Sequence, residues 1–307
     1  MSAEFSTFIQ LLLRSLETGS VYALASLGII IIYRTSLITH FAQGSMGMFN
    51  TFVVASVLPV LAASPFLQRI GVPPMLLAVL CGLLSAVASG FLVDFVIIRH
   101  TKKVSPVAKQ IITLGLIMIF LGVAPMLFGV DPLQLPRFIQ SGDVNVLGAA
   151  ISYNALLNIG MGVVLMVGLF MVLQFTKLGL AIRTTASNEP TARLMGVPTS
   201  QVTLLAWAMA GMLGALSGIM IAPTTTVTVT LMNSVQVNAL FACVLGGFQT
   251  FYGPLLGAYI IGIGKNMLVY YVPQGSIWGE QIMYLLILIF LIFRPNGLIG
   301  KKFIKKV

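Results

Sequence analysis

The stretch "NALLNIGMGVVLMVGLFMVLQF" (residues 154–175) runs for 22 residues without a charged side chain. It is followed directly by "TKLGLAIRTTASNEPTARLMGVPTSQV" (residues 176–202), the longest polar passage of the chain. A helix needs about 20 mostly apolar residues to cross the hydrocarbon of a bilayer. The first stretch therefore predicts a membrane-spanning helix, and the second predicts a loop that lies in water at one end of it.

The composition extends this prediction to the whole chain. Of its 307 residues, 58% are hydrophobic and only 8% are charged, whereas soluble domains contain about 25% charged residues. A soluble protein of this size could not keep so much apolar surface away from water. Because apolar runs recur throughout residues 1–307, we expect one transmembrane domain and no sizeable soluble module.

Nine apolar segments are candidate spans, and their lengths predict helices. The seventh is short and ends in "LGGFQTFYGP" (residues 245–254), so we expect a partial or re-entrant segment there. The predicted fold class is all-α, a polytopic membrane helix bundle with about eight to nine transmembrane helices. The candidate spans are residues 18–33, 46–63, 73–98, 108–129, 154–175, 201–222, 236–250, 254–272 and 279–293.

The distribution of lysine and arginine predicts the orientation, because short cytoplasmic loops are enriched in these residues. If successive spans cross the membrane in opposite directions, thirteen of the 17 basic residues fall on the side of the loop 176–202, and two fall on the opposite side. The loop and the C-terminus are therefore expected to be cytoplasmic. The net charge of +10 does not indicate a nucleic-acid partner, because the basic residues cluster at the ends of apolar runs.

The sequence contains no recognisable arrangement for catalysis, metal binding or cofactor binding. His40 and His100 stand alone at the edges of apolar segments, and "GIGKN" (residues 262–266) lacks the spacing of a phosphate-binding loop. The predicted spans also lack the buried carboxylates of ion-coupled carriers. Two ionisable residues fall inside them: Lys265, and Asp94, which is expected near the interface because it lies close to Arg99. We therefore expect a conduit without its own energy source, and not an enzyme.

Polar residues inside apolar surroundings are candidates for the translocation pathway. The stretch "THFAQGSMGMFN" (residues 39–50) interrupts an apolar pattern with glycines and with polar side chains. Irregular backbone at membrane depth is tolerated where protein covers it or where it lines a cavity; the alternative is an ordinary interfacial turn. Two further polar residues flank the short seventh segment and could instead hydrogen-bond between helices. The candidates are Gln43, Ser45, Asn50, Asn238 and Gln249.

The polar loop predicts a short docking helix. Ser187 or Asn188 can cap its start, Pro190 suits its first turn, and Gly196 can stop it. A second cap is expected at Thr199 or Ser200, before the next span. Ala192, Leu194 and Met195 are expected to give this helix an apolar side, which suits insertion into a partner's groove; the alternative is a loop that lies on the lipid surface. The predicted docking residues are Asn188, Glu189, Ala192, Arg193, Leu194, Met195 and Gly196.

Four stretches, in this order, resemble the permease subunits of branched-chain amino acid ABC importers, and most closely the smaller type without an appended ATPase. Gln43 and Ser45 depart from the histidine and acidic residue that family members often carry, and Pro190 departs from the usual non-proline residue. The stretches are "GSVYALASLGIIIIYRTSLITHFAQGSMGM" (19–48), the loop with "ARLMGV" (192–197), "LFACVLGGFQTFYGPLLGAYIIG" (240–262) and "LIFRPNGLIG" (291–300).

The resemblance implies one half of a channel in a bacterial inner membrane. It implies a second related permease subunit, two cytoplasmic ATPase subunits and a periplasmic substrate-binding protein as partners. The docking helix would then be the coupling helix, within a coupling loop at residues 176–200. The solutes implied are branched-chain amino acids or related small polar molecules. The alternatives are a stand-alone channel or facilitator for a solute such as urea or an amide, and an intramembrane enzyme, for which no nucleophile–base pair is present.

Overall fold

The computed structural model describes residues 3–101, 104–146 and 148–299. The basic C-terminal residues, on which part of the orientation argument depends, lie outside these ranges. The elements, in chain order, are α1 (Ala3–Ser36), α2 (Gln43–Ala62), α3 (Pro65–Ile70), α4 (Pro74–Leu92), α5 (Pro106–Phe128), β1 (Asp143–Val146), β2 (Ala149–Ser152), α6 (Tyr153–Phe175), α7 (Lys177–Ser187), α8 (Glu189–Leu194), α9 (Thr199–Ile221), α10 (Asn233–Gly246), α11 (Tyr252–Tyr271) and α12 (Gly275–Phe293).

The predicted all-α membrane bundle is confirmed, and each of the nine predicted segments forms a helix. Within the described ranges, seven helices are long and apolar enough to cross a membrane. The short seventh segment is α10, whose 14 residues extend about 21 Å, less than the ~30 Å of hydrocarbon. Helix α11 has 20 residues but carries Lys265 and Asn266, and it is not among the seven.

Helix α6 defines the two ends of the bundle. Its 23 residues extend about 34 Å, with the β1–β2 hairpin before it and α7 and α8 after it. We call these the hairpin end and the α8 end. The sequence predicts only a loop for residues 130–153, but four residues from each strand pair antiparallel there, with Asp143 opposite Ser152. Strands this short carry too little periodicity to be identified from sequence.

Helices α1 and α9 form the centre of the bundle. Ile29, Ile30 and Ile31 of α1 are completely buried, as is Trp207 of α9. A helix that is apolar on all sides is expected to be buried among others, and α1 is surrounded by α6, α9, α10 and α11.

Small residues let neighbouring helices approach closely. A Cβ atom at Gly47 of α2 would lie 2.6 Å from the carbonyl oxygen of Gly214 on α9. A Cβ atom at Gly257 of α11 would lie 2.5 Å from the carbonyl oxygen of Ala242 on α10. In lipid, where apolar burial gives no drive to associate, such contacts between backbones hold helices together.

The connection between α1 and α2 enters the bundle instead of turning at its surface. His40 and Ala42 in this connection are completely buried. The next residue, Gln43, hydrogen-bonds the carbonyl of Ala210, which lies about 17 Å along α9 from its start at Thr199. Irregular backbone at this depth is covered by protein, as it must be in a bilayer.

Candidate functional site

The predicted docking helix is α8, and its local signals are confirmed. The Oδ1 atom of Asn188 accepts a hydrogen bond from the backbone nitrogen of Thr191 at 3.1 Å, and Pro190 lies in the first turn. The chain leaves the helix through Gly196, whose φ of 81° favours glycine. These signals are local, because each joins residues within about one turn, and therefore they are visible in the sequence.

The loop also contains α7, which the sequence analysis missed. The Thr176 hydroxyl caps it by accepting a hydrogen bond from the backbone nitrogen of Gly179 at 3.1 Å. Its Ile182 is buried against Leu173 and Val202. The apolar spacing from Leu178 to Ile182 is a helical signal that could have revealed this helix. Helix α7 connects the end of α6 to α8.

The apolar residues of α8 do not share one side. Leu194 and Met195 are 88% and 80% exposed, whereas Ala192 is only 4% exposed. The expectation of one apolar side formed by all three residues is therefore wrong. Residues two apart on a helix project about 200° apart, so Ala192 packs inward while Leu194 projects outward. The outward surface of α8 thus ends in two large apolar side chains.

Arg193 joins α8 to α9. Its guanidinium forms an ion pair with Glu189 one turn earlier, and its Nε donates to the Thr199 hydroxyl at 2.8 Å. Helix α9 begins after Pro198 without a side-chain cap. The predicted cap at Thr199 or Ser200 is therefore wrong, because the Thr199 oxygen bonds the arginine instead of the backbone.

A cavity of about 540 Å³ lies between α8 and the ends of α1, α4 and α5. Glu189 and Arg193 border it on the α8 side, and Lys109 borders it on the α5 side. Asp94, expected near the interface, is buried there in the π-helical turn that follows α4 and pairs with Arg99 at 3.3 Å. The α8 end therefore presents charged groups of both signs around this cavity.

The candidate pathway residues of α2 hold helices together. The Gln43 side chain donates to the Ala210 carbonyl of α9 at 2.7 Å. The buried Asn50 accepts a hydrogen bond from Ser85 of α4 at 2.8 Å, and Ser45 lies half-buried between them in sequence. Gln43 and Asn50 therefore fix α2 against its two neighbours.

The start of α10 meets the α1–α2 connection through Gln236, a residue that the sequence analysis did not identify. The Gln236 side-chain oxygen accepts from the backbone nitrogen of Gly44, and its side-chain nitrogen lies 3.5 Å from the carbonyl oxygen of His40. The predicted residues Asn238 and Gln249 are not brought together. Asn238 is buried near the start of α10, whereas the Gln249 carbonyl accepts from Arg34 at 2.7 Å beyond its end.

A polar cluster joins α1, α10, α11 and α12, and we call it the α10–α12 cluster. Lys265 of α11 and Glu280 of α12 form an ion pair at 2.8 Å. The Tyr284 hydroxyl donates to the same Glu280 oxygen at 2.7 Å, and the Asn238 amide lies 3.3 Å from it. The cluster consists of Tyr22, Ser234, Asn238, Lys265, Glu280 and Tyr284.

This cluster contains a carboxylate, Glu280, that the sequence alone does not single out. Glu280 stands near the start of the predicted last span, where a sequence suggests an interfacial residue. Its partner Lys265 lies in the preceding helix, and the turn between α11 and α12 brings the two side chains together. Such a pair depends on the packing of two helices, so it carries no local sequence signal.

Comparisons with known proteins agree with this architecture. The family described as "Branched-chain amino acid transport system / permease component" matches residues 11–292. BraD of Pseudomonas aeruginosa, a high-affinity branched-chain amino acid transport system permease protein, is 25% identical over 99% of this chain and 99% of its own. A protein of Methanocaldococcus jannaschii named "Probable branched-chain amino acid transport permease protein LivH" is 24% identical over 93% of this chain and 91% of its own.

A relative with a different solute is also similar. LsrC of Yersinia enterocolitica, an autoinducer 2 import system permease protein, is 28% identical over 59% of this chain and 51% of its own.

The family match covers most of the chain, and the described residues contain seven helices able to cross a membrane. This chain is therefore a multi-pass membrane protein that belongs to the permease-component family of branched-chain amino acid transport systems.

Proposed function

We propose that this chain is the permease subunit of an ATP-driven importer whose solutes are branched-chain amino acids or related small polar molecules. The observation that carries this proposal is the exposure of Leu194 and Met195 on the capped helix α8. An apolar surface on a short helix outside the spans is suited to a groove in a partner protein. A stand-alone channel has no need of such a surface.

The proposed assembly has four further subunits and a fixed orientation. Two ATPase subunits dock at the α8 end, which faces the cytoplasm together with the C-terminus, as the basic residues of the sequence indicate. A second related permease completes the pathway in the bacterial inner membrane, and a periplasmic binding protein delivers the solute at the hairpin end. This chain contributes one permease domain, with residues 176–200 as its coupling loop.

Helix α9 is the proposed route by which ATPase movement reaches the pathway. At its first residue, Thr199 accepts the hydrogen bond of Arg193 from α8. About 17 Å further along the same helix, the Ala210 carbonyl accepts the hydrogen bond of Gln43. A displacement of α8 would therefore be passed to the start of α2 through one rigid element and two hydrogen bonds.

A role of the candidate pathway residues in solute transport is part of this proposal, and the structure gives their positions. Gln43 and Asn50 lie on one side of the first two turns of α2, with Ser45 on the other side. Asn238 lies in the second turn of α10, and Gln249 follows its end. Gln236 joins these two regions by bonding the backbone of Gly44. We infer that the five residues act on the route of the solute indirectly, by holding α2 and α10 in position.

The test is to express the tagged chain together with the products of its chromosomal neighbours and to purify it in mild detergent. The expected result is recovery of two ATPase subunits and a second permease. Proteoliposomes of this complex should take up leucine when ATP and the loaded binding protein are supplied. Recovery of the chain alone, with solute flux that needs no ATP, would overturn the proposal and favour a facilitator.

A further inference from the structure

Glu280 of the α10–α12 cluster lies in α12, one of the seven helices able to cross a membrane, yet the described residues leave the cluster partly uncovered. Lys265 and Glu280 lie about 9 Å and 8 Å along their helices from the ends nearest the hairpin. Their side chains are nevertheless 18% and 35% exposed. Charged side chains inside a bilayer almost always face protein or a water-filled cavity. The uncovered side of this ion pair is therefore not expected to face lipid.

Lys265 is held at this depth by specific contacts. A lysine near the end of a span can extend its ammonium group to the interface. Here the ammonium group donates to Glu280 at 2.8 Å, to Ser234 at 3.2 Å and to Tyr22 at 3.4 Å. These three partners belong to three different helices, so the charge is placed by the fold of the bundle.

Polar residues lead from the hairpin end to the cluster. The connection before α10, "TTTVTVTLMNS" (residues 224–234), contains seven hydroxyl or amide side chains. We call it the hydroxyl strip. It is anchored by an antiparallel bridge between Val227 and Leu133. Its exposed polar residues are Thr224, Thr225, Thr226, Thr230, Asn233 and Ser234.

The cluster also has acceptors that the described residues leave without a partner. The Glu280 Oε1 atom takes hydrogen bonds from Lys265, Tyr284 and Asn238 and contacts the Ser234 hydroxyl. Among the described residues, no partner is found for the second carboxylate oxygen, Oε2. Asn238 is completely buried, and its Oδ1 also lacks a partner within the described part of the chain.

We propose that the α10–α12 cluster is a solute-binding site on the translocation pathway, and that its ligand is a small zwitterion with the chemistry of an α-amino acid. The solute ammonium group binds Glu280 Oε2, and its carboxylate replaces Ser234 as a partner of Lys265. An apolar solute side chain then lies over Val237, which is exposed one turn beyond Ser234. The second permease covers the site. This inference rests on the proposed function.

The test measures water access and ligand protection at Ser234 in the assembled complex. Ser234→Cys is introduced after Cys81→Ala and Cys243→Ala, and the proteoliposomes are treated with a cationic, membrane-impermeant methanethiosulfonate. Leu288→Cys is the matched control, because Leu288 is also exposed on this chain and lies on the apolar part of α12. Thiolates react only where water and reagent reach them, so at least about tenfold faster labelling is expected at Ser234→Cys.

L-leucine is the probe for binding, and it should slow the labelling of Ser234→Cys. Leucinamide, which lacks the carboxylate, and 4-methylpentanoate, which lacks the amine, should protect less. Adding Glu280→Gln should abolish protection by leucine while the thiol still reacts. If Ser234→Cys does not assemble, Thr230→Cys in the exposed hydroxyl strip takes its place.

Two results would overturn the site. Labelling as slow as that of Leu288→Cys would place the cluster in lipid or in a dry interface. Equal protection by leucine and its two analogues, or none by any, would exclude recognition of a zwitterion. Vesicles prepared in the same way with the unsubstituted complex are used to measure ATP-driven leucine uptake. ATP-driven uptake without protection of the thiol would exclude only the proposed binding site. Flux that needs no ATP would exclude the proposed function, and the labelling result would still stand.

Discussion

Replacing Leu194 and Met195 together by alanine is expected to weaken ATPase docking without unfolding the permease. Both side chains are largely exposed, so their truncation removes little packing within this chain. Burying such a side chain against the partner contributes about 1.5–3 kcal/mol, and an alanine in its place keeps part of this contribution. A loss of about 3 kcal/mol for the pair corresponds to a roughly hundredfold higher dissociation constant.

The assay is titration of the purified ATPase subunits onto the permease in detergent, together with solute-stimulated ATP hydrolysis in proteoliposomes. The matched control is Leu285→Ala with Leu288→Ala, two exposed positions on α12, which should leave docking unchanged. The melting temperature should change little in the docking variant. A dissociation constant within a few-fold of the unsubstituted protein would refute the assignment of α8 as the docking surface.

Three further substitutions test the local structure. Asn188→Ala removes the α8 cap, which costs about 1 kcal/mol, and hydrogen exchange at the α8 amides should become roughly fivefold faster; unchanged exchange would mean that the cap is dispensable. Glu189→Lys removes a charge that favours the helix start by ~0.3–1 kcal/mol, and it should lower uptake and ATPase co-purification while the protein still inserts. Normal uptake would exclude α8 as the transmission point. Gly47→Ala places a Cβ atom 2.6 Å from the Gly214 oxygen. We expect the free energy of unfolding to fall by about 1–3 kcal/mol, which a lower melting temperature would report. In Gly160→Ala the added Cβ atom would meet no atom of another described element within 4 Å, so the melting temperature should not fall.

The helices of this fold could be predicted because each depends on its own residues. The bilayer demands a minimum apolar length, so the spans appear as runs in the sequence. The cap at Asn188 and the positive φ at Gly196 are also local, since each acts within one or two turns. The β1–β2 hairpin was not predicted, because its four-residue strands are defined by pairing with each other.

The relations between helices could not be predicted in the same way. The Thr199 hydroxyl is a plausible cap in sequence, but folding places Arg193 beside it. Gln43 is a polar residue in an apolar run, and only the structure reveals that it bonds the carbonyl of Ala210. In both cases the local preference is real, but a partner brought near by folding determines which hydrogen bond forms.

Partial exposure distinguishes Glu280 from the buried polar residue Asn50. Polar residues such as Asn50 attract attention because they interrupt apolar runs, yet Asn50 is buried and satisfied by its neighbours. A pathway between two subunits must instead present groups that one subunit leaves uncovered. Lys265 of α11 and Glu280 of α12 meet this condition, because they are charged and remain partly exposed. Since lipid would penalise this exposure, the uncovered ion pair supports the proposal that water and the second permease meet this chain on this face.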